Sequence, residues 1–408
     1  MCAAALHAPV PAAATAVEAP ATPATVPCPR LEVKPPPTDR EPLPTPPKDD
    51  PVLRAVGGDG LATDGLVIPS GARRPPALTA TSWLVADLDT GEVLGGCGPH
   101  VYGTPASVQK LLLAAAVMDK LDPRRTITVT RGDLDIEPGS SAVGLVEGGK
   151  YSIATLWLGL LLNSGNEAAN ALARLGGGAG GVKAGLAAMN AEAQRLGAFQ
   201  THAVTPSGLD GPGQFTSAYD LALIARECFA DPVFVRYALT RTARVPAQKR
   251  PKVGGFQIQN ENRLIFEYPG ALGGKTGFTH LARHSYVGAA ERNGRRLVAT
   301  LLGAERRPLL SWQQGAALLD WGFSLPEDAS VGKLVDPGGM APGGSAPSAA
   351  PAASGPAPAP GEARAATAPT LPTGAAAAIA VTLAAAPLLL LLRRQRRRIR
   401  RTRTQLFD

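Results

Sequence analysis

The chain has 408 residues, of which 45% are hydrophobic, 18% are charged and four are cysteine, so it exceeds one average domain and is no cysteine-stapled miniature. Its net charge of +8 sits almost wholly in one place: Arg393, Arg394, Arg396, Arg397, Arg398, Arg400, Arg401 and Arg403 less Asp408 give +7, leaving +1 elsewhere. The body of the chain is therefore not a basic surface, which argues against a nucleic acid as partner.

Composition divides the chain. Residues 1–16 have the small, Ala-rich look of the end of a signal peptide, yet no Lys or Arg precedes Arg30; the expectation is a remnant whose true start lies upstream. Residues 17–77 are expected to be disordered, because Pro and Ala dominate their first part and large apolar side chains are few. Residues 78–335 read as one globular unit, and 336–373 as a Pro/Ala/Gly-rich linker in the extended regime. Residues 374–392 form an expected transmembrane helix: from Ala375 to Leu392 there is no charge, and as a helix those residues would rise about 27 Å, close to the hydrocarbon thickness. Pro387 is tolerable there as a kink. The Arg-rich tail 393–408 then stays cytoplasmic against anionic membrane lipid, with the globular unit outside the cell. Leu371-Pro372-Thr373-Gly374 lacks one residue of the sorting signal Leu-Pro-x-Thr-Gly. Of Cys2, Cys28, Cys97 and Cys228, only the last two fall in the globular unit, and a Cys97–Cys228 bridge is one expectation for an oxidising compartment.

Through the globular unit, Ser82 to Leu88 and Glu92 to Gly95 read as a hairpin turning at Asp89-Thr90-Gly91. Thr104-Pro105-Ala106-Ser107-Val108-Gln109-Lys110 then opens an apolar helix running to Met118. Thr126 to Thr130 is a short β-branched strand, and Tyr151 to Leu162 a core helix that delivers Asn163-Ser164-Gly165-Asn166. Lys183 to Leu196 carries a helical pattern; Thr205 to Gly213 is a loop of turn formers; Ser217 caps a helix over Ala218 to Phe229. Leu272 to Phe278 leads into a hairpin around Asn293-Gly294, and a helix over about Leu310 to Phe323 closes the unit. Strands, then helices, then strands and a final helix predict an α+β fold, with the first and last strands in one antiparallel sheet covered by helices.

Three stretches carry chemistry. On a helix, Ser107 and Lys110 stand three apart on one face, where the amine can touch the hydroxyl. Serine is a poor nucleophile until a base takes its proton, and burial or a second cation can make lysine that base. A solvated helix face is the rival reading. Ser164 and Asn166, two apart between helices, can offer a proton-relaying hydroxyl and an amide to one cleft, although either could simply cap the next helix. Lys275-Thr276-Gly277 pairs a cation and a hydroxyl with an unobstructed glycine, which makes a carboxylate seat; an ordinary glycine-rich loop is the alternative.

Each stretch alone is weak, but their order and combination are specific. With Pro105-Ala106-Ser107-Val108-Gln109-Lys110, Ser164-Gly165-Asn166-Glu167-Ala168-Ala169, Thr205 to Gly211 and Gly273 to Thr279, the sequence resembles the β-lactamase/transpeptidase-like superfamily. Within it the chain is similar to the low-molecular-mass penicillin-binding proteins that are D-alanyl-D-alanine carboxypeptidases, serine peptidase family S11. The resemblance runs from about Ser82 to Phe323. It implies that Ser107 is acylated by a peptidoglycan stem peptide ending in D-Ala-D-Ala and releases the last D-Ala, a reaction of cell-wall building and cell shape. Lys110 is then the general base, and Ser164 passes a proton to the leaving amine. Asn166 holds the peptide, Lys275, Thr276 and Gly277 seat the terminal carboxylate, and the Ser107 and Phe278 N–H groups form the oxyanion hole. It implies covalent inhibition by β-lactam antibiotics and needs no cofactor or metal. His280 and His284, four apart, lack the glutamate of a His-Glu-x-x-His zinc site.

Two departures stand out. Asp336 begins a linker where many relatives have a β-rich domain, and His280-Leu281-Ala282-Arg283-His284 replaces a glycine-containing turn. The rival functions are a β-lactamase, for which no Glu-x-x-Leu-Asn stretch follows Ser164, a catalytically idle wall-binding or β-lactam-sensing membrane protein, and a transpeptidase.

Overall fold

The computed structural model describes residues 25–33 and 44–339. One antiparallel sheet organises them, in the order β1(Leu66–Val67), β3(Glu92–Cys97), β2(Ser82–Asp87), β10(Arg295–Ala304), β9(Arg283–Arg292), β8(Ala271–Thr279). The first and last strands do meet: Val85 pairs with Ala299 at its centre. The hairpin turns form where glycine and asparagine can take positive φ, at Gly91 (78°) and at Asn293 (53°) with Gly294 (81°). Two minor pairs lie apart, β4(Thr126–Thr128) with β5(Lys150–Ser152), and β6(Thr242–Val245) with β7(Phe256–Gln259).

Alternation along the strands feeds two cores. Trp83 and Val85 face one side with Tyr286, Leu297, Leu301, Leu318 and Trp321, where helix α9(Ser311–Phe323) packs. Leu84 and Ala86 face the other, against a helical cluster. Besides the short α1(Pro51–Arg54) and α8(Leu264–Glu267), the helices are α2(Lys110–Val117), α3(Ile153–Leu162), α4(Asn166–Gly176), α5(Gly181–Leu196), α6(Ala218–Ala230) and α7(Pro232–Ala238). After Lys110, helix α2 is apolar all round, as a helix wedged between α4, α5 and α6 must be. Ser217 caps α6 by accepting from the Asp220 N–H, as its sequence position predicted.

Two expectations are corrected. The segment 17–77 is ordered wherever it is described. Val26 O accepts from Leu66 N (2.8 Å), Leu31 N donates to Leu78 O (2.9 Å), and the Arg30 guanidinium donates to the Ala80 and Thr81 carbonyls. Leu61 and Val56 reach the helical core. Composition counts side chains, whereas these residues are held largely by main-chain pairing and a covalent tie. That tie is the second correction: Cys97 is bonded to Cys28, with Cα atoms 5.9 Å apart, and Cys228 is a free thiol buried in α6. Cys97 faces the α9 side of the sheet and Cys228 the helical side, so they cannot meet.

Among the described residues no helix is long and apolar enough to cross a membrane. The expected signal remnant, transmembrane helix and Arg-rich tail lie outside the described residues, as does the linker beyond residue 339.

Candidate active site

The helix expected from Pro105 begins as a tighter turn. Ala106–Gln109 is a 3₁₀ turn, and only from Lys110 does the α-helix run. Ala106 has φ 49°, a conformation rare for a residue with a side chain and of the kind held in place at functional sites. The Ser285 hydroxyl fixes this turn to β9 by donating to Pro105 O (2.6 Å). Ser107 is left part-exposed at its rim.

Lys110 lies one helical turn away and is fully buried. Its Nζ stands 2.8 Å from Ser107 Oγ, 2.8 Å from Asn166 Oδ1 and 2.7 Å from the Ser207 carbonyl. Burial pushes the amine well below the ordinary lysine range, and the charge of Lys275 pushes the same way, against weaker opposition from Glu167 and Glu261. Asn166 opens α4 just after α3 ends, and Ser164 sits in that junction, buried and with φ 58°. Glu167 braces the far wall: its Oε1 accepts from the Val143, Gly144 and Leu145 N–H groups.

Lys275 and Thr276 lie on β8, an edge strand of the sheet. Lys275 is 2% exposed, with its amine on Thr276 O (2.8 Å). Burial lowers its pKa to about 8, opposed by Glu261, so below pH 8 it is mostly an ammonium. A methyl group at Gly277 would stand 2.3 Å from Ser285 Oγ and 2.9 Å from the Ser107 nitrogen. Only glycine lets the strand come this close to the serine turn. Phe278 follows, 46% exposed as a residue, with its ring tilted against His284 at 4.6 Å and beneath the Arg283 guanidinium.

Ser107, Lys110 and Asn166 thus touch through one amine, with Lys275 near enough to act on it electrostatically and Gly277 against the Ser107 backbone. Ser164 lies two residues from Asn166, and Thr276 and Phe278 flank Gly277. The Ser207 carbonyl, Ser285 and Glu167 were not singled out from the sequence. A backbone carbonyl has no residue signature, although the positive φ of Gly208 (85°) beside it is one a Ser-Gly pair can hint at. Among the described residues no group of three or more His, Cys, Asp or Glu could hold a metal.

A hydroxyl in contact with a buried amine whose burial disfavours its charged form, beside a sheet edge carrying a cation, is the equipment of a serine acyl-transfer enzyme. The fold is the mixed α/β one of the penicillin-binding and transpeptidase-like proteins. The chain belongs to the S11 peptidase family, D-alanyl-D-alanine carboxypeptidases, whose pattern it matches over residues 70–306. It is 45% identical over 276 residues to a D-alanyl-D-alanine carboxypeptidase of Mycobacterium tuberculosis, covering 66% of this chain and 91% of that one. It is 34% identical over 289 residues to one from Salmonella typhimurium, covering 67% and 70%. Among solved structures, a D-alanyl-D-alanine carboxypeptidase of M. tuberculosis superposes with a TM-score of 0.61 at 44% identity, over 66% of this chain and all (100%) of that one. A Streptomyces DD-transpeptidase does so with a TM-score of 0.59 at 26% identity, over 62% and 100%.

Proposed function

We propose that this enzyme, a serine D-Ala-D-Ala carboxypeptidase of peptidoglycan metabolism that binds β-lactams, works through an acyl-enzyme on Ser107. Lys110 takes the hydroxyl proton as Oγ attacks the penultimate D-Ala carbonyl. The N–H groups of Ser107 and Phe278 receive the oxyanion. Ser164 passes the proton to the leaving amine, terminal D-Ala departs, and water cleaves the ester. Asn166 Oδ1 is committed to Lys110, so its NH₂ is the half that faces the substrate peptide. The Lys275 ammonium, with Thr276 and the bare Gly277, seats the terminal carboxylate.

The observation that carries this reading is the 2.8 Å contact between Ser107 Oγ and an amine that is fully buried and shifted far toward its neutral form. The test is D-Ala release from a pentapeptide ending in D-Ala-D-Ala, with Ser107→Ala as control, alongside a peptide-mapped mass spectrum after brief exposure to penicillin. Equal release by both proteins, or an adduct elsewhere, sinks the assignment.

The same proposal places the enzyme outside the cytoplasm on a single-pass anchor at residues 374–392, with the arginines of 393–408 against cytoplasmic anionic lipid. Its support is the uncharged run Ala375 to Leu392 followed directly by eight arginines. Release of the full chain from membranes by alkaline carbonate, without detergent, counts against it.

A further inference from the structure

We propose that Gln214, with Gln109, is a positioning residue for acylation: the two amides hold the Ser207 carbonyl where it takes one hydrogen of the Lys110 amine, leaving the lone pair toward Ser107. This rests on Ser107 as nucleophile and Lys110 as base, and adds what aims the base.

A neutral amine has two hydrogens and one lone pair, and the Lys110 nitrogen has three oxygen neighbours. Asn166 Oδ1 and Ser207 O can only accept, so each takes an N–H. The lone pair then faces the one neighbour able to donate, the Ser107 hydroxyl. Were Ser207 O to swing away, an N–H would be free to turn to Ser107 Oγ and the base would point elsewhere. During reaction the Ser107 proton moves onto the lone pair as the Oγ–carbon bond forms. The resulting ammonium keeps its first two hydrogens where they were, and the newly gained one passes through Ser164 to the leaving nitrogen.

Asn166 is set by α4, but Ser207 lies in a loop, 204–213, with no regular structure to fix it. Two buried glutamines do so. Gln214 Oε1 accepts from the N–H groups of Val204 (3.2 Å) and Thr205 (3.1 Å), and its amide donates to Leu209 O. The loop is thereby clamped on both sides of Ser207. Gln109 Nε2 donates to Gln214 Oε1 (2.9 Å) and to Thr205 O (2.6 Å), so the residue next to Lys110 anchors the loop to the end of the turn that carries Ser107, where helix α2 begins with Lys110. Gln214 and Gln109 are only 1% and 2% exposed, so no water competes for these bonds. Gly208 completes the fit, because a methyl group there would stand 1.9 Å from Ala106 O.

The test measures benzylpenicillin acylation of the full chain by stopped flow, separating the Kd of the first complex from the acylation rate constant, for Gln214→Met, Gln109→Met and the double variant. The expected result is a rate constant lowered about 30- to 100-fold with Kd within about threefold, since misaimed catalytic groups lose rate rather than binding. The double variant is expected to be no slower than the slower single one, because the two amides act in series between the loop and the Ser107 turn. The proposal is overturned by single variants that acylate within threefold of the parent chain, or by Kd and rate constant worsening together with the thermal midpoint, which is general loosening. Should Gln214→Met not fold, Gln109→Met, which leaves the Gln214 bonds to the loop in place, carries the same test. Failure of the unaltered chain to be labelled at Ser107 would instead remove the parent reading.

Discussion

The two edges of the main sheet are treated in opposite ways. On the far side, β3 is covered at both its ends by two very short strands, β1 at Cys97 and Gly96 and β11(Gly332–Lys333) at Val93 and Glu92, and the Cys28–Cys97 bond ties the N-terminal segment there. At the other edge, β8 is long, carries Gly273, Gly274 and Gly277, and has the Ser107 turn rather than a further strand beside it. Unpaired strand edges invite other chains, and proteins blunt them unless an extended peptide is wanted there. One edge is closed and the other is left open beside the Ser107 turn, so on the proposed function changes at β8 should cost activity and changes at β3 should cost stability.

Predictions follow that division in order of their effect on turnover. Ser107→Ala is expected to abolish penicillin labelling and D-Ala release, a loss of about 10⁴-fold or more read by intact mass and by an assay of free D-Ala. Lys110→Met should lower the acylation rate constant by about 10²- to 10⁴-fold, the worth of a general base; a loss under tenfold means another group takes the proton. Gly277→Ala should cost about 10²-fold in acylation, because its methyl pushes β8 away from the Ser107 nitrogen, and unchanged kinetics would contradict the close approach. The pH profile of kcat/KM should be a bell. On the acid side activity falls as Lys110 gains a proton and ceases to be a base. On the alkaline side it falls as Lys275, with a pKa of about 8, loses the charge that seats the carboxylate, by about tenfold at pH 9. A profile flat from pH 7 to 10 would rule Lys275 out of that role. Cys28→Ser, at the closed edge, should leave D-Ala release at 25 °C within about twofold while costing about 2–4 kcal/mol of stability in denaturant melts, the usual worth of closing a loop of this size.

What the sequence disclosed, and what it hid, also divides by physics. The meeting of Ser107, Lys110 and Asn166 was legible because complementary side chains at fixed spacing leave a signature, and the strands Ser82–Asp87 and Arg295–Ala304 because apolar runs bounded by the turn formers Asp89-Thr90-Gly91 and Asn293-Gly294 do. Local geometry was less so. Pro105 marked the helix entrance, but nothing in Ala106 announces a positive φ, since tertiary contacts impose it. The pairing of Cys97 was misjudged because proximity in the fold, not membership of the apolar unit, decides it. The Ser207 carbonyl and its glutamine clamp were hidden for a simpler reason: main-chain acceptors look alike in every sequence, and buried Gln109 and Gln214 read as ordinary polar residues until their partners are seen.

The register of the central strands has a consequence for biogenesis. Trp83 lies opposite Leu301, so the middle of the sheet joins residues more than two hundred positions apart, and β8 reaches the serine turn only as part of that late-arriving half. Such distant pairings form slowly. A chain still emerging from a ribosome can make its helices before β8 can settle on the Ser107 turn, so the close approach of Gly277 to the Ser107 nitrogen is among the last contacts to form.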